Sequence, residues 1–226
     1  MEVEYALNTL YMLITAALVM WMAAGFTMLE AGLVRRKNTA DIVTKNLGLY
    51  SIACFMYLLC GYMAMYPGDA FAGGFMPAFD FGFGDTVADT VEDGYGYAES
   101  ADFFFQVVFV ATACSIVSGA VAERMNQWPF FALVVFIAAF IYPVQGYWNW
   151  GGGFLKADGY SDFAGSGTVH LAGAACALAA ALFIGPRLGK YGKETGKLYG
   201  MFPIAETKKL YGANIPIAAL GTFVLW

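Results

Sequence analysis

"DFAGSGTVHLAGAACALAAALFIGPR", residues 162–187, contains the only histidine of the chain, His170, inside a run of Gly, Ala, Ser, Thr and apolar residues. Its apolar part, 168–185, is about long enough at 1.5 Å per residue to cross a hydrocarbon layer of roughly 30 Å as one helix. Four blocks of similar character precede it at 9–34, 46–66, 103–122 and 129–147, and a sixth begins near Asn214. None alternates apolar and polar residues as a transmembrane barrel strand does, so every block reads as a helix. The composition agrees: of 226 residues 60% are hydrophobic and only 13% charged, far from the roughly 25% charged residues of a soluble domain. The fold class is all-α, a polytopic membrane helix bundle of about five and a half spans. Glu2 and Glu4, not Lys or Arg, precede the first block, which is also too long for a signal-peptide core, so it is expected to remain as a mature span.

The charges orient the bundle. Eleven of the twelve basic residues fall after the first, third and fifth blocks, at Arg35, Arg36, Lys37 and Lys45, at Arg124, and at Arg187, Lys190, Lys193, Lys197, Lys208 and Lys209. Such an excess marks the cytoplasmic side and places the N-terminus outside. The opposite loop, 67–102, has no Lys or Arg and carries Asp69, Asp80, Asp85, Asp89, Glu92, Asp93, Glu99 and Asp102. It either raises the local concentration of a cation or is a solvated loop obeying topology. The basic residues form no groove-sized patch, which excludes a nucleic-acid partner. Cys54, Cys60, Cys114 and Cys176 lie inside the blocks without metal-ligand spacing and read as packing residues. With one histidine and no nucleophile-base pair, no catalytic residue, metal or cofactor is expected. The chain stops about thirteen residues into the sixth block, too few to span, so it reads as one repeat of a two-repeat transport fold cut within its sixth helix.

On a regular helix His170 shares a face with Ser166, Gly167, Gly173, Ala174 and Ala177. Small residues let a neighbouring helix approach closely, so the imidazole is expected to point into a protein interior or a narrow pore. It is either a functional group, the default for a titratable residue inside a membrane, or a histidine hydrogen-bonded between helices. Asp162 precedes the helix and is expected to hold its free N–H groups, its charge also helping a cation approach the pore entrance. Glu30, near the inner end of the first block, is expected to snorkel or to pair with a cytoplasmic Arg or Lys.

The opening stretch resembles the signature of the ammonium transporters, the Amt/Mep/Rh superfamily. "AGFTMLEAGLVRRKNT" (24–39), "FFFQVVFVATACSIVSGAVAER" (103–124) and "YWNWGGGFL" (147–155) resemble it in the right order. The resemblance implies the first inverted repeat of an eleven-helix, N-out protomer, assembled as a homotrimer in the plasma membrane with ammonium or ammonia passing through each subunit. It implies that His170 is the first of two pore histidines that relay a proton or accept hydrogen bonds from the substrate, that Trp150 recruits ammonium over its indole face, and that Phe109 is the outer gate. Without it, Trp150 is equally an interfacial tryptophan like Trp148, and Phe109 a packing aromatic. The second histidine, second gate phenyl and recruitment-site hydroxyl are expected beyond Trp226, so residues 1–226 alone are expected to be transport-incompetent. A sensor built on the same fold is the alternative function, and a PII-type signal protein at the cytoplasmic face is a further implied partner.

Overall fold

The computed structural model describes residues 2–82, 96–190 and 209–226. Asp85, Asp89, Glu92 and Asp93 of the acidic loop, and Lys193, Lys197 and Lys208 of the basic connection, lie outside the described residues.

Five helical segments are long and apolar enough to cross a membrane: Glu2–Leu33, Arg36–Met65, Glu99–Val121, Gln127–Ala157 and Ser166–Ile184. The first is one continuous helix, α1 (Glu2–Leu33), which starts seven residues before the apolar block because Glu2 and Glu4 favour the positive end of its dipole. The second is α2 (Thr39–Met56), a π turn (Tyr57–Gly61) and α3 (Tyr62–Met65). It too begins before the apolar block, since Lys45 turns inward and donates to Met125 O at 2.7 Å instead of facing water. The third is α4 (Glu99–Val121). The fourth runs through α5 (Gln127–Phe136), a second π turn (Ile137–Ile141), α6 (Tyr142–Asn149) and the single-turn α7 (Phe154–Ala157). Pro143 has no N–H to return to the preceding turn, and the widened turn just before it absorbs that loss. The fifth opens with a third π turn (Ser166–Leu171) and continues as α8 (Ala172–Ile184). The short α9 (Ile215–Leu225) is capped by Asn214, whose Oδ1 accepts from Ile217 N at 3.1 Å.

Packing centres on α4, which touches α1, α2 and α8. Its Val108, Val110, Ala111, Cys114 and Val117 join Leu49, Ala53, Tyr57, Phe130, Val134 and Tyr142 in one core. The α9 helix lies against α1 at backbone distance: a Cβ on Gly32 would stand 2.6 Å from Ala218 N, and one on Gly221 2.6 Å from Gly25 O. Close approach of small residues is how apolar helices associate when lipid supplies no hydrophobic contrast. Cys60 and Cys114 are buried and Cys54 and Cys176 half-buried, all as thiols.

The acidic loop is not uniformly solvated. Asp102 belongs to the first turn of α4 and is buried, accepting from Tyr62 Oη at 3.1 Å and from Gln106 Nε2 at 3.4 Å. The described part of the loop docks on the end of the fourth span, where Trp148 Nε1 donates to Phe75 O at 2.8 Å and Gly73 N to Gly152 O at 2.8 Å.

The basic ends of three spans meet at one carboxylate. Glu123 follows α4 with φ 60°, a left-handed conformation uncommon outside glycine. Its Oε1 accepts from Arg35 N and Arg35 Nε, both at 2.9 Å, and from Asn38 Nδ2 at 2.5 Å. Its Oε2 accepts from Arg187 Nη1 at 3.2 Å. Burial opposes the charge, but these donors outweigh it and hold the carboxyl below its ordinary range.

Candidate functional site

The site is built where α4, the end of α6 and the start of the fifth span converge. Phe105 and Phe109 sit one turn apart on α4, their rings edge to face at 5.0 Å. The indole of Trp150, at the C-terminal end of α6, continues the row with its centroid 6.2 Å from that of Phe109. Beneath it lies Gly165 at φ +79°, where a Cβ would stand 3.2 Å from the indole, so both conformation and space favour glycine. The indole N–H is engaged, donating to Asp162 O at 2.7 Å.

Asp162 does what its position predicts. Its Oδ1 accepts from Gly165 N and Ser166 N, each at 3.0 Å, and its Oδ2 from Gly167 N at 2.9 Å and Thr168 N at 2.7 Å. One carboxylate thus satisfies the orphan donors of the helix start. Partial burial works against its ionisation, and the bonds from Thr168, Gly167 and Ser166 prevail, holding the carboxyl below its usual value.

His170 lies one π turn further in. Its Nδ1 is 3.2 Å from Gly165 O, the carbonyl that also accepts from Val169 N at 2.9 Å and His170 N at 3.0 Å. A carbonyl only accepts, so the ring contact is made by Nδ1–H, and in the neutral tautomer this leaves Nε2 as an acceptor. The imidazole faces away from the packed interior of the described residues. It is exposed, as are Leu171 and Ala174, whereas Gly173 packs against Ala113 O and Ile116.

The structure therefore brings Phe109, Trp150, Asp162 and His170 into one chain of contacts, from a phenyl ring through an indole and a backbone carbonyl to a capped helix start and an imidazole. Phe105 belongs to the same row and was missed, although its spacing of four from Phe109 was legible. Trp148 is separated from it, stacked on Phe75 at 5.3 Å. A neighbouring apolar groove of about 560 Å³, lined by Phe140, Gln145, Asn149, Thr168, Leu171 and Cys176, includes neither Trp150 nor His170. Glu30 does not snorkel. It is 5% exposed and contacts Ser118 and Asn46 between three helices. Among the described residues no three His, Cys, Asp or Glu side chains converge as a metal site would require.

The model of the Ammonium Transporter Family matches residues 10–226. The chain belongs to the ammonium transporter family. Among its family relatives, a Synechocystis protein whose ammonium-transporter name is itself provisional is 40% identical over 225 residues, covering 100% of this chain and 48% of that protein. The ammonium transporter Amt2 of Archaeoglobus fulgidus is 36% identical, covering 99% of this chain and 46% of its own length. The solved structure of a Sensor Amt Protein superposes with TM-score 0.86 at 34% identity, over 100% of this chain and 54% of that one. A mutant of Candida albicans Mep2 shares the fold, at TM-score 0.77 and 23% identity. The chain spans about half the length of the curated relatives it matches, and corresponds to the N-terminal half of family members as a multi-pass membrane bundle.

Proposed function

We propose that the chain lines the ammonium path of a transporter in the plasma membrane, with its N-terminus outside and homotrimer assembly as in the family. The observation supporting this is the continuous row Phe105, Phe109 and Trp150 joined through Asp162 and Gly165 to His170. Ammonium and potassium have similar size and charge, but ammonium donates hydrogen bonds and can release a proton. An indole face attracts either cation, and a bare imidazole Nε2 further in accepts only from the donor. Trp150 then recruits the cation, Phe109 gates the dry segment, and His170 accepts a proton or a hydrogen bond. Asp162 positions the helix start and adds negative charge near the mouth. In the full-length protein, His170→Ala is expected to abolish selective ammonium current or ammonium-dependent growth while membrane assembly persists. Unchanged current and selectivity in a correctly assembled variant would overturn the role.

A second reading is favoured by one relative, the Sensor Amt Protein, whose structure this chain superposes on over its whole length. Under that reading the same row binds ammonium and reports it through a cytoplasmic partner such as a PII-type signal protein. Saturable ammonium binding without ammonium flux in liposomes distinguishes it from transport.

A further inference from the structure

Trp150 is followed by three glycines, Gly151, Gly152 and Gly153, the residue type that loses most conformational freedom on folding. The indole that stands over Gly165 is therefore carried by a backbone with little stiffness of its own. The turn leaves α6 with Gly151 N 3.3 Å from Gly146 O, passes Gly152 at φ +83°, and returns Gly153 N to Tyr147 O at 2.8 Å. Two further bonds that hold it come from the acidic loop, far away along the chain.

Residues 71–75 cross the turn as a strap. Gly73 N donates to Gly152 O at 2.8 Å and Phe154 N donates to Gly74 O at 3.0 Å, one main-chain bond on either side of Gly153. The strap has its own seat on α6. The buried Tyr147 donates its hydroxyl to Phe71 O, Trp148 Nε1 donates to Phe75 O at 2.8 Å, and the Phe75 ring lies 5.3 Å from Trp148 and 5.4 Å from Phe154. A Cβ on Gly73 would stand 3.7 Å from Ala157 Cβ, so the strap also reaches the far end of α7. From α7 the chain returns through 158–161 to Asp162, whose carbonyl accepts the Trp150 indole N–H at 2.7 Å. Trp150 and its indole partner are thus the two ends of one connection, and the strap is bonded to that connection at 152 and 154.

We propose that residues 71–75 are positioning residues for the Trp150 indole, acting through their main-chain bonds to Gly152 and Phe154. The proposal rests on the reading of Trp150 as the recruiting ring. Proline at 154 isolates one of the bonds. Phe154 is the first residue of α7, where a missing N–H breaks no helical bond, and Gly153 before it is extended at φ −72°, ψ −166°, the region proline favours in its neighbour. Phe154→Pro removes the ring and the bond, whereas Phe154→Ala removes the ring alone.

In the full-length protein in liposomes, Phe154→Pro is expected to raise the half-saturating ammonium concentration by about 2- to 30-fold with the maximal rate unchanged, the range of one cation–π contact. Phe154→Ala and Trp148→Leu keep both main-chain bonds and are expected to match the parent. In a Trp150→Leu background, Phe154→Pro is expected to add nothing, because both act through the same contact. Fluorine NMR of fluorotryptophan-labelled protein in nanodiscs reads the indole without transport, its Trp150 resonance identified by its loss in Trp150→Leu. That resonance is expected to move in Phe154→Pro and to stay in Phe154→Ala. Gly74→Val, whose Cβ would stand 2.6 Å from Tyr147 Oη, lifts the strap from its seat, and it is expected to move the same resonance even if Phe154→Pro fails to assemble. A resonance unmoved by Gly74→Val and by Phe154→Pro, an equal shift in Phe154→Ala, or a loss of affinity that adds to that of Trp150→Leu overturns the proposal. A resonance that moves as expected while Trp150→Leu keeps the parental affinity upholds the strap and overturns the recruiting role of Trp150 instead.

Discussion

Trp148 and Trp150 are two positions apart, yet one stacks on the acidic loop at Phe75 and the other stands over Gly165 beside Phe109. That difference predicts different phenotypes. Trp150→Leu is expected to weaken ammonium recruitment by about 2- to 30-fold, the equivalent of one cation–π contact of roughly 0.5–2 kcal/mol, as read from apparent affinity in the full-length protein. Trp148→Leu is expected to leave that affinity unchanged. Asp162→Ala is expected to destabilise by about 0.5–2 kcal/mol through loss of the cap. The pH dependence has a definite sign. The folded carboxyl lies below its unfolded value of about 3.9, so its contribution is complete above that pH and is lost as pH falls through the folded value. Thermal unfolding between pH 5 and 2, in round terms, should show a shallower acid slope in Asp162→Ala than in the parent; equal slopes would remove Asp162 from the acid sensitivity.

Between elements, the Glu123 group is a polar junction tying the ends of α1, α4 and the fifth span through Arg35, Asn38 and Arg187. Its two arginines are about a quarter exposed, which moderates their worth. Removing the carboxylate by Glu123→Ala is expected to cost about 1–3 kcal/mol, the range for charge-assisted bonds, in thermal or denaturant unfolding. At φ 60° alanine is strained and glycine is not, so Glu123→Gly should be milder than Glu123→Ala. The reverse order would show that backbone strain is negligible there. The α1–α9 contact makes a separate prediction. Gly32→Val places methyl groups into the Ala218 backbone and is expected to destabilise the bundle by about 1–3 kcal/mol in thermal or denaturant unfolding; an unchanged unfolding profile would show that the two helices are not held at backbone distance.

At the scale of the molecule, the basic loops after the first, third and fifth spans gather at one end, where Arg35, Arg124 and Arg187 all make bonds. With the charge bias this supports the proposed topology, in which the acidic loop lies outside. A cysteine at Glu4 should react with a membrane-impermeant maleimide added outside intact cells, and one at Lys190 only after permeabilisation. The reverse pattern would invert the topology and with it the assignment of Trp150 to the outer mouth.

Span number, helical class and the clustering of basic ends were legible because apolar length and charge bias add up along the chain, whatever its neighbours. Phe109 and Trp150 acquired roles only through family resemblance, since an isolated phenylalanine or tryptophan in a membrane segment carries no direction. Glu30 defeated the linear reading: its partner Ser118 is 88 positions away, as is Arg35 from Glu123. Snorkelling was the economical expectation for a carboxylate near basic residues, and burial between three helices with neutral donors overruled it. Apolar length by itself determined that the chain crosses a membrane; which polar groups meet inside was decided by helix packing, because it depends on distances between segments that no spacing along the chain encodes.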